Sequence, residues 1–127
     1  MRWRWIDKHA LLLLHDESLA IHGGASGMRD EGALDSALAR PLNLIAYGKP
    51  DFAGLAAAYG SGLAQNHSFV DGNKRAAFLA VGLFLYLNGY RLTASQAEAA
   101  VTMFSLAAGD LEEAAFAAWI RSRCEKR

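Results

Sequence analysis

Two apolar segments that flank a short polar stretch constrain the fold of this chain most strongly. Residues 52–66 are rich in alanine and apolar on nearly all sides of a helix, and residues 73–88 contain the longest apolar run, Ala76 to Leu87. A helix that is apolar all round is expected in the interior of a protein. The sequence therefore predicts two central hydrophobic helices packed side by side and joined by a polar stretch.

Glycine, proline and helix-capping residues divide the rest of the sequence into helical pieces. Further helices are predicted at residues 7–22, 30–40, 95–108 and 110–119. Pro41 is expected to end the second of these, because the residue before a proline disfavours the helical conformation. Residues 43–51 are predicted to form an exposed loop or short hairpin, and strand signals are weak. These patterns indicate an all-α fold, a compact bundle of about six helices in a single domain over residues 1–127.

The C-terminal segment, residues 121–127, is basic. It carries four Lys and Arg residues against one acid, Glu125. Cations suit the negative end of a helix dipole, so we interpret the segment as a solvated helix end with Cys124 as a helix residue.

Composition and charge exclude several classes of protein. A hydrophobic content of 53% in 127 residues favours a globular domain over a disordered chain. The 13 Lys and Arg residues balance 13 Asp and Glu residues, so no overall charge attracts nucleic acid or anionic membranes. No apolar run approaches the length of about 20 residues that a membrane span needs. The single cysteine suits a reducing compartment. We expect a cytoplasmic protein with no direct contact to membrane or nucleic acid.

The polar stretch between the two central helices carries residues suited to phosphate binding. Gly72 and Asn73 open the second central helix, whose free N–H groups and positive dipole end form an anion site. Lys74 and Arg75 add positive charges at the same end, where a cation alone is unfavourable by about 0.3–1 kcal/mol. A bound polyphosphate would offset that cost, and these four residues are therefore candidate phosphate ligands.

The first half of the stretch supplies the other groups that nucleotide chemistry needs. Asp71 could hold Mg²⁺ together with phosphate oxygens, and the imidazole of His67 could take a proton from a hydroxyl group. Phe69 alternates with polar residues, so we predict that it points inward and anchors the loop. Each residue alone is ordinary, and a merely polar interhelical turn is the alternative. Together they indicate phosphoryl or nucleotidyl transfer.

The same residues resemble the loop of the Fic superfamily, and more narrowly of its Doc (death-on-curing) branch. The general Fic loop reads His-Pro-Phe-x-Asp/Glu-Gly-Asn-Gly-Arg, and six positions match it here: His67, Phe69, Asp71, Gly72, Asn73 and Arg75. Ser68 replaces the proline and Lys74 replaces the second glycine, as in the Doc pattern His-x-Phe-x-Asp-x-Asn-Lys-Arg. Phe78 stands where Fic enzymes usually carry a further arginine. His15-Asp16-Glu17 and the segment 23–41 also resemble Doc-like proteins.

The resemblance implies a fold, a set of residue roles and two cofactors. The fold would be the Fic/Doc helical bundle, and the cofactors would be ATP and Mg²⁺. His67 would act as the general base and Asp71 would bind the metal, while Phe69 would anchor the loop. The phosphates would be cradled by Gly72, Asn73, Lys74 and Arg75.

The resemblance also implies a toxin of a toxin–antitoxin system. Doc-type chemistry transfers the terminal phosphate of ATP to a Ser or Thr hydroxyl of elongation factor Tu, which blocks translation. The alternatives are the AMP transfer of typical Fic enzymes and a catalytically silent module that binds an antitoxin and acts as a regulator. Our hypothesis is that Lys74 favours phosphate transfer, because a lysine fills the space that a glycine leaves open to the phosphates.

Control is expected to come from a separate protein. The inhibitory motif of many Fic proteins reads Ser/Thr-x-x-x-Glu-Gly/Asn, and in the nearest string here, from Ser26, Glu31 falls one residue late. We therefore expect an antitoxin whose disordered tail folds on binding. Residues 43–51 are a candidate flap that aligns the target segment, although an ordinary connection explains them equally well.

Overall fold

Six helices and one pair of short strands make up the computed structural model, which describes residues 2–127. In chain order these elements are α1 (Lys8–His22), α2 (Glu31–Tyr47), α3 (Phe52–Asn66), α4 (Asn73–Leu87), β1 (Tyr90–Leu92), α5 (Gln96–Ala107), α6 (Glu113–Ser122) and β2 (Cys124–Lys126). The predicted all-α fold of about six helices is confirmed. None of the helices within residues 2–127 combines the length and the apolar character that crossing a membrane requires.

The centre of the fold is formed by α3, which packs against α2, α4 and α6. Nearly all of its residues from Ala53 to Ala64 are buried, as its apolar composition predicts. Small residues allow the neighbours to approach closely: a Cβ at Gly60 would lie 2.7 Å from Phe116 Cε2 and 2.9 Å from Val81 Cγ2. The pair α3 and α4 is thus the predicted central helix pair, and it holds the two ends of the polar loop.

Side-chain caps fix the beginning of four helices. The capping oxygen in each case accepts a hydrogen bond from a backbone N–H in the first turn, and the capping residues are Asp7, Asp30, Asp51 and Ser95. Residues of this type at a helix start satisfy N–H groups that have no partner within the helix. The starts of α1, α2, α3 and α5 were therefore predictable from the sequence.

The prediction that α2 ends at Arg40 is wrong. The helix continues through Pro41 to Tyr47, so only residues 48–51 connect it to α3. Proline removes one backbone hydrogen bond from a helix, and this usually favours termination. Here Pro41 is buried together with Leu34 and Ala37, at the spacing of one helix face, and α2 packs against α3. Burial of this face offsets the missing bond.

The predicted start of α6 at Asp110 is also wrong, because the backbone of that residue completes the previous helix. Its N–H donates to Ser105 O at 2.9 Å, and the N–H of Gly109 donates to Leu106 O at 3.2 Å. These two bonds close the end of α5 in a Schellman motif. The N-cap of α6 is Glu112.

The C-terminal segment pairs as a strand, contrary to the predicted helix end. After α6 ends at Ser122, Cys124 lies opposite Leu92 and Glu125 lies opposite Arg91 in an antiparallel pair. The backbone N–H of Arg127 donates to Gly89 O at 3.1 Å. The partners of this segment lie more than 30 residues earlier in the chain, so its local charge pattern carries no sign of the pairing.

Candidate active site

The loop between α3 and α4 begins and ends in the left-handed backbone conformation. His67 caps α3 with φ 51° and ψ 50°, and it is the one non-glycine residue with positive φ in the described part of the chain. Gly72 precedes α4 with φ 74°. Such a conformation is strained for a residue with a side chain, and strain of this kind concentrates at functional sites. The His67 side chain is exposed at the start of the loop.

Asn73 closes the loop with two hydrogen bonds to one residue. Its Oδ1 accepts from the Phe69 N–H at 2.9 Å, and its Nδ2 donates to Phe69 O at 3.0 Å. Both ends of the side-chain amide are therefore engaged within the loop. The main-chain N–H of Asn73 is the donor that this residue can offer to an anion.

Phe69 lies below the loop and is only 3% exposed. Its ring centroid lies 4.0 Å from that of His15 on α1. The loop is thus held against α1 by ring packing. This inward position agrees with the alternation in the sequence, while the anchoring role stays a prediction.

The segment between α1 and α2 runs antiparallel to the loop. The N–H groups of Arg29 and Asp30 both donate to Ser68 O, at 2.8 and 3.0 Å, and the Val70 N–H donates to Gly27 O at 3.1 Å. The candidate flap at residues 43–51 lies elsewhere. It is at the start of α3, whereas His67 follows the end of this 15-residue helix, about 22 Å away at 1.5 Å per residue. A flap role for residues 43–51 is therefore wrong.

Asp71 is held by main-chain donors. Its Oδ2 accepts from the Ala25 N–H at 3.2 Å, and its Oδ1 accepts from the Gly72 N–H at 2.8 Å. These hydrogen bonds, followed by the charge of Arg75, lower the pKa of the Asp71 carboxyl group. The exposed carboxylate is therefore ionised at neutral pH and able to bind a cation.

A cavity of about 420 Å³ opens at the N-terminus of α4. It is lined by Gly23, Gly24, Asp71, Gly72, Asn73, Lys74 and Arg75. No side chain caps this helix, so its first N–H groups face the cavity side of the loop without a capping acceptor. Five of the seven predicted site residues line the cavity. His67 and Phe69 do not, because one lies at the start of the loop and the other beneath it.

A second, more apolar cavity of about 560 Å³ adjoins the first. It lies between α4 and α5, with Met103 and Phe104 on its wall and Lys74 and Arg75 at one end. The Lys74 ammonium group lies 5.8 Å from the ring centroid of Phe104, within the range of a cation–π contact. Lys74 therefore borders both cavities.

The fit of the first cavity to a metal-bound nucleotide rests on its donor set. Within residues 2–127 no three His, Cys, Asp or Glu side chains converge on one point. Magnesium does not need such a cage, since it is commonly held by one or two carboxylates together with phosphate oxygens and waters. The ionised Asp71 lies beside the uncapped start of α4 and two cations, and this arrangement fits that mode of binding.

Comparison with known proteins identifies the chain. A family model described as the Fic/DOC family matches residues 5–85. The chain belongs to the Fic/DOC family. Two similar proteins are both Doc proteins, so the predicted branch is confirmed. The "Toxin Doc" of Mycolicibacterium smegmatis (strain ATCC 700084 / mc(2)155) is 47% identical over 75 residues, which cover 57% of each chain. The "Protein kinase doc" of Escherichia phage P1 is 32% identical over 119 residues, 93% of this chain and 94% of the relative.

Sequence reasoning did not predict two residues of the site. Gly24 lines the cavity, and His15 lies under the loop against Phe69. One signal was available for His15. It falls between Leu11 and Leu19 at four-residue spacing, which puts it on the buried face of α1.

Proposed function

We propose that this protein is the toxin of a toxin–antitoxin system and transfers the terminal phosphate of ATP to a Ser or Thr hydroxyl of a host protein. The observation that carries the proposal is the uncapped start of α4, where an ionised Asp71 and the cations Lys74 and Arg75 line one cavity. Membership of the Fic/DOC family supports nucleotide use, and the names of the two relatives, a Toxin Doc and a Protein kinase doc, support the toxin and kinase functions.

The phosphates of ATP bind at the start of α4 in this proposal. The main-chain N–H groups of Asn73 and Lys74 meet phosphate oxygens, helped by the helix dipole. The Gly72 N–H, which donates to Asp71 in the free protein, joins them once Asp71 turns toward the metal. Arg75 can hold two oxygens at once, whereas Lys74 acts as a point charge. Asp71 holds Mg²⁺, which neutralises phosphate charge when it is bound.

His67 is the general base of the reaction. The target hydroxyl oxygen forms a bond to the terminal phosphorus of ATP, the bond between the terminal and second phosphates breaks, and His67 takes the hydroxyl proton. ADP and a phosphorylated protein are the products. The exposed position of His67 at the edge of the loop allows a protein segment to reach it. Elongation factor Tu is the target that the Doc resemblance suggests, and on that target the enzyme would act in the cytoplasm and block translation.

Lys74 is the residue that separates phosphate transfer from AMP transfer in this account. Its side chain borders both cavities and lies near Phe104. The lysine side chain therefore fills space that a glycine would leave open to the phosphates. The variant Lys74→Gly is expected to lose phosphate transfer and gain some AMP transfer. Unchanged phosphate transfer without AMP transfer would contradict this role.

The antitoxin tail binds the apolar cavity between α4 and α5 in this proposal. Its wall is apolar and its open end carries Lys74 and Arg75, so it suits an amphipathic segment with an acidic end. Ala100→Arg is expected to weaken neutralisation by the antitoxin without loss of transfer activity. Ala97→Arg, on an exposed position of the same helix that does not line the cavity, is the matched control and should be neutralised normally.

Two parallel labelling reactions test the proposed chemistry. Purified protein, Mg²⁺ and a bacterial lysate receive ATP labelled on either the terminal or the first phosphate, each with a His67→Ala control. Protein label from the terminal phosphate alone, absent in the control, is the expected result. Label from the first phosphate would establish AMP transfer, and no label with a purified translation factor added would favour the silent module.

A further inference from the structure

His15 is a buried polar side chain that the proposed reaction does not use. It is 2% exposed on the inner face of α1, and neither ring nitrogen has a hydrogen-bond partner within residues 2–127. A buried donor or acceptor without a partner lowers stability, and an apolar side chain of similar shape would avoid this effect. An unpaired group in such a position calls for a physical reason.

The ring of His15 fills the space directly under the loop. It packs on Phe69 with 4.0 Å between ring centroids, and a Cβ placed on Gly72 would lie 2.9 Å from its Cε1 atom. The ring packing on Phe69 and the close approach of the ring to Gly72 connect α1 to both halves of the loop. The position of the ring therefore sets how closely Gly72, and with it the first turn of α4, can approach α1.

Charged and polar groups of the loop face the same ring. Burial lowers the pKa of His15. The backbone of Asp71 opposes this most, since it approaches the ring without reaching full hydrogen-bond geometry, and the charge of Asp16 follows. The neutral ring carries one donor and one acceptor. The carboxylate of Asp71, meanwhile, accepts hydrogen bonds from Ala25 and Gly72. A turn of Asp71 toward a ligand would release these bonds and let its backbone move.

We infer that His15 is a positioning residue: a ring nitrogen forms a hydrogen bond with the backbone of the loop at Asp71 when a nucleotide is bound, and this bond fixes the start of α4 for phosphate binding. The inference rests on the proposed function. It explains why a polar ring occupies a site where an apolar one would be more stable, since its partner is acquired on binding.

Two substitutions separate positioning from packing. His15→Leu removes both nitrogens and keeps an apolar side chain in the space, whereas His15→Gln keeps a donor and an acceptor. His9→Leu, at an exposed position of the same helix, controls for a leucine added to α1. The measurements are the thermal midpoint Tm with and without Mg²⁺-ATP, and kcat and KM for transfer.

The expected result for His15→Leu is a divergence between stability and function. Without nucleotide its Tm equals that of the wild type or rises by about 2–4 °C. The rise in Tm caused by Mg²⁺-ATP shrinks, and kcat/KM falls by about tenfold or more. His15→Gln recovers part of the ATP-dependent rise in Tm, and His9→Leu behaves as the wild type.

Other outcomes overturn the inference. A His15→Leu variant with wild-type kcat/KM and ATP-dependent Tm rise would show that the nitrogens have no role. A lower Tm without nucleotide, with the ATP-dependent rise intact, would make His15 a packing residue only. A wild type that gains stability from Mg²⁺-ATP but transfers nothing would overturn the proposed function alone, and His15 is then judged on the Tm rise. A wild type that does not respond to ATP overturns both.

Discussion

At the scale of single residues, His67 combines a chemical role with an unfavourable backbone conformation. Its φ of 51° disfavours any side chain, by roughly 1–2 kcal/mol relative to glycine. We predict that His67→Gly lowers the rate of transfer by about 10²-fold or more. The same variant raises the free energy of unfolding by about 1 kcal/mol. Urea unfolding and a transfer assay measure the two effects. A destabilised His67→Gly would mean that the imidazole supports the fold, contrary to this account.

Gly24 is the residue that brings the loop after α1 close to Asp71. Its φ is 129°, and a Cβ there would lie 2.7 Å from Leu19 Cδ2 and 3.1 Å from Asp71 Oδ2. We predict that Gly24→Ala lowers stability by about 1–3 kcal/mol and weakens Mg²⁺-ATP binding, measured by unfolding and calorimetry. Gly23→Ala is the matched control, because Gly23 also has a positive φ of 86° and so the same kind of backbone strain, whereas a Cβ there meets nothing within 4 Å. Equal loss of binding in both variants would argue against the crowding of Asp71.

At the scale of secondary-structure elements, Asp51 fixes the start of the central helix. It caps α3 at the Gly54 N–H and forms a bidentate ion pair with Arg121 of α6 at 2.7 and 2.9 Å. The Arg121 guanidinium, followed by the Gly54 N–H, lowers the pKa of Asp51. Stability from this carboxylate is therefore fully present above the ordinary Asp pKa and is lost as the pH falls through the lowered one.

Substitutions at Asp51 are expected to separate the cap from the ion pair. Asp51→Ala loses both and should cost about 1–2 kcal/mol at neutral pH, whereas Asp51→Asn keeps a good cap and should cost about 0–1 kcal/mol. The difference between the wild type and Asp51→Asn should vanish at acid pH in urea unfolding. A difference that does not change with pH would contradict the role of the charged carboxylate.

The sequence was most informative about elements whose boundaries depend on local interactions. Caps such as Asp51 and Ser95 act within one turn, and the starts of their helices were predicted correctly. The errors arose where distant contacts decide. Pro41 stays inside α2 because its face is buried against α3, and the segment after Ser122 becomes a strand because β1 pairs with it. The local sequence around Pro41 and after Ser122 does not indicate that α3 and β1 are the elements they contact.

At the scale of the whole molecule, three separate parts of the chain meet at the candidate site. The stretch from His67 to Arg75 was predicted as a site from its residue types, because base, carboxylate and cations occur together before an apolar helix, and from its resemblance to the Fic and Doc loops. The contribution of α1 and the loop after it, through His15 and Gly24, required the three-dimensional packing. His15 and Gly24 reach the loop only because the fold brings them close to it, and their spacing along the sequence does not predict this.

The central claim is that the His67 loop transfers the terminal phosphate of ATP to a hydroxyl group. The measurement that tests it most directly is the fragmentation mass spectrum of a target protein modified by the purified wild type with Mg²⁺-ATP. We predict a phosphate group on a Ser or Thr side chain, absent after incubation with His67→Ala. An AMP adduct on that side chain, or a phosphate still added by His67→Ala, would contradict the claim.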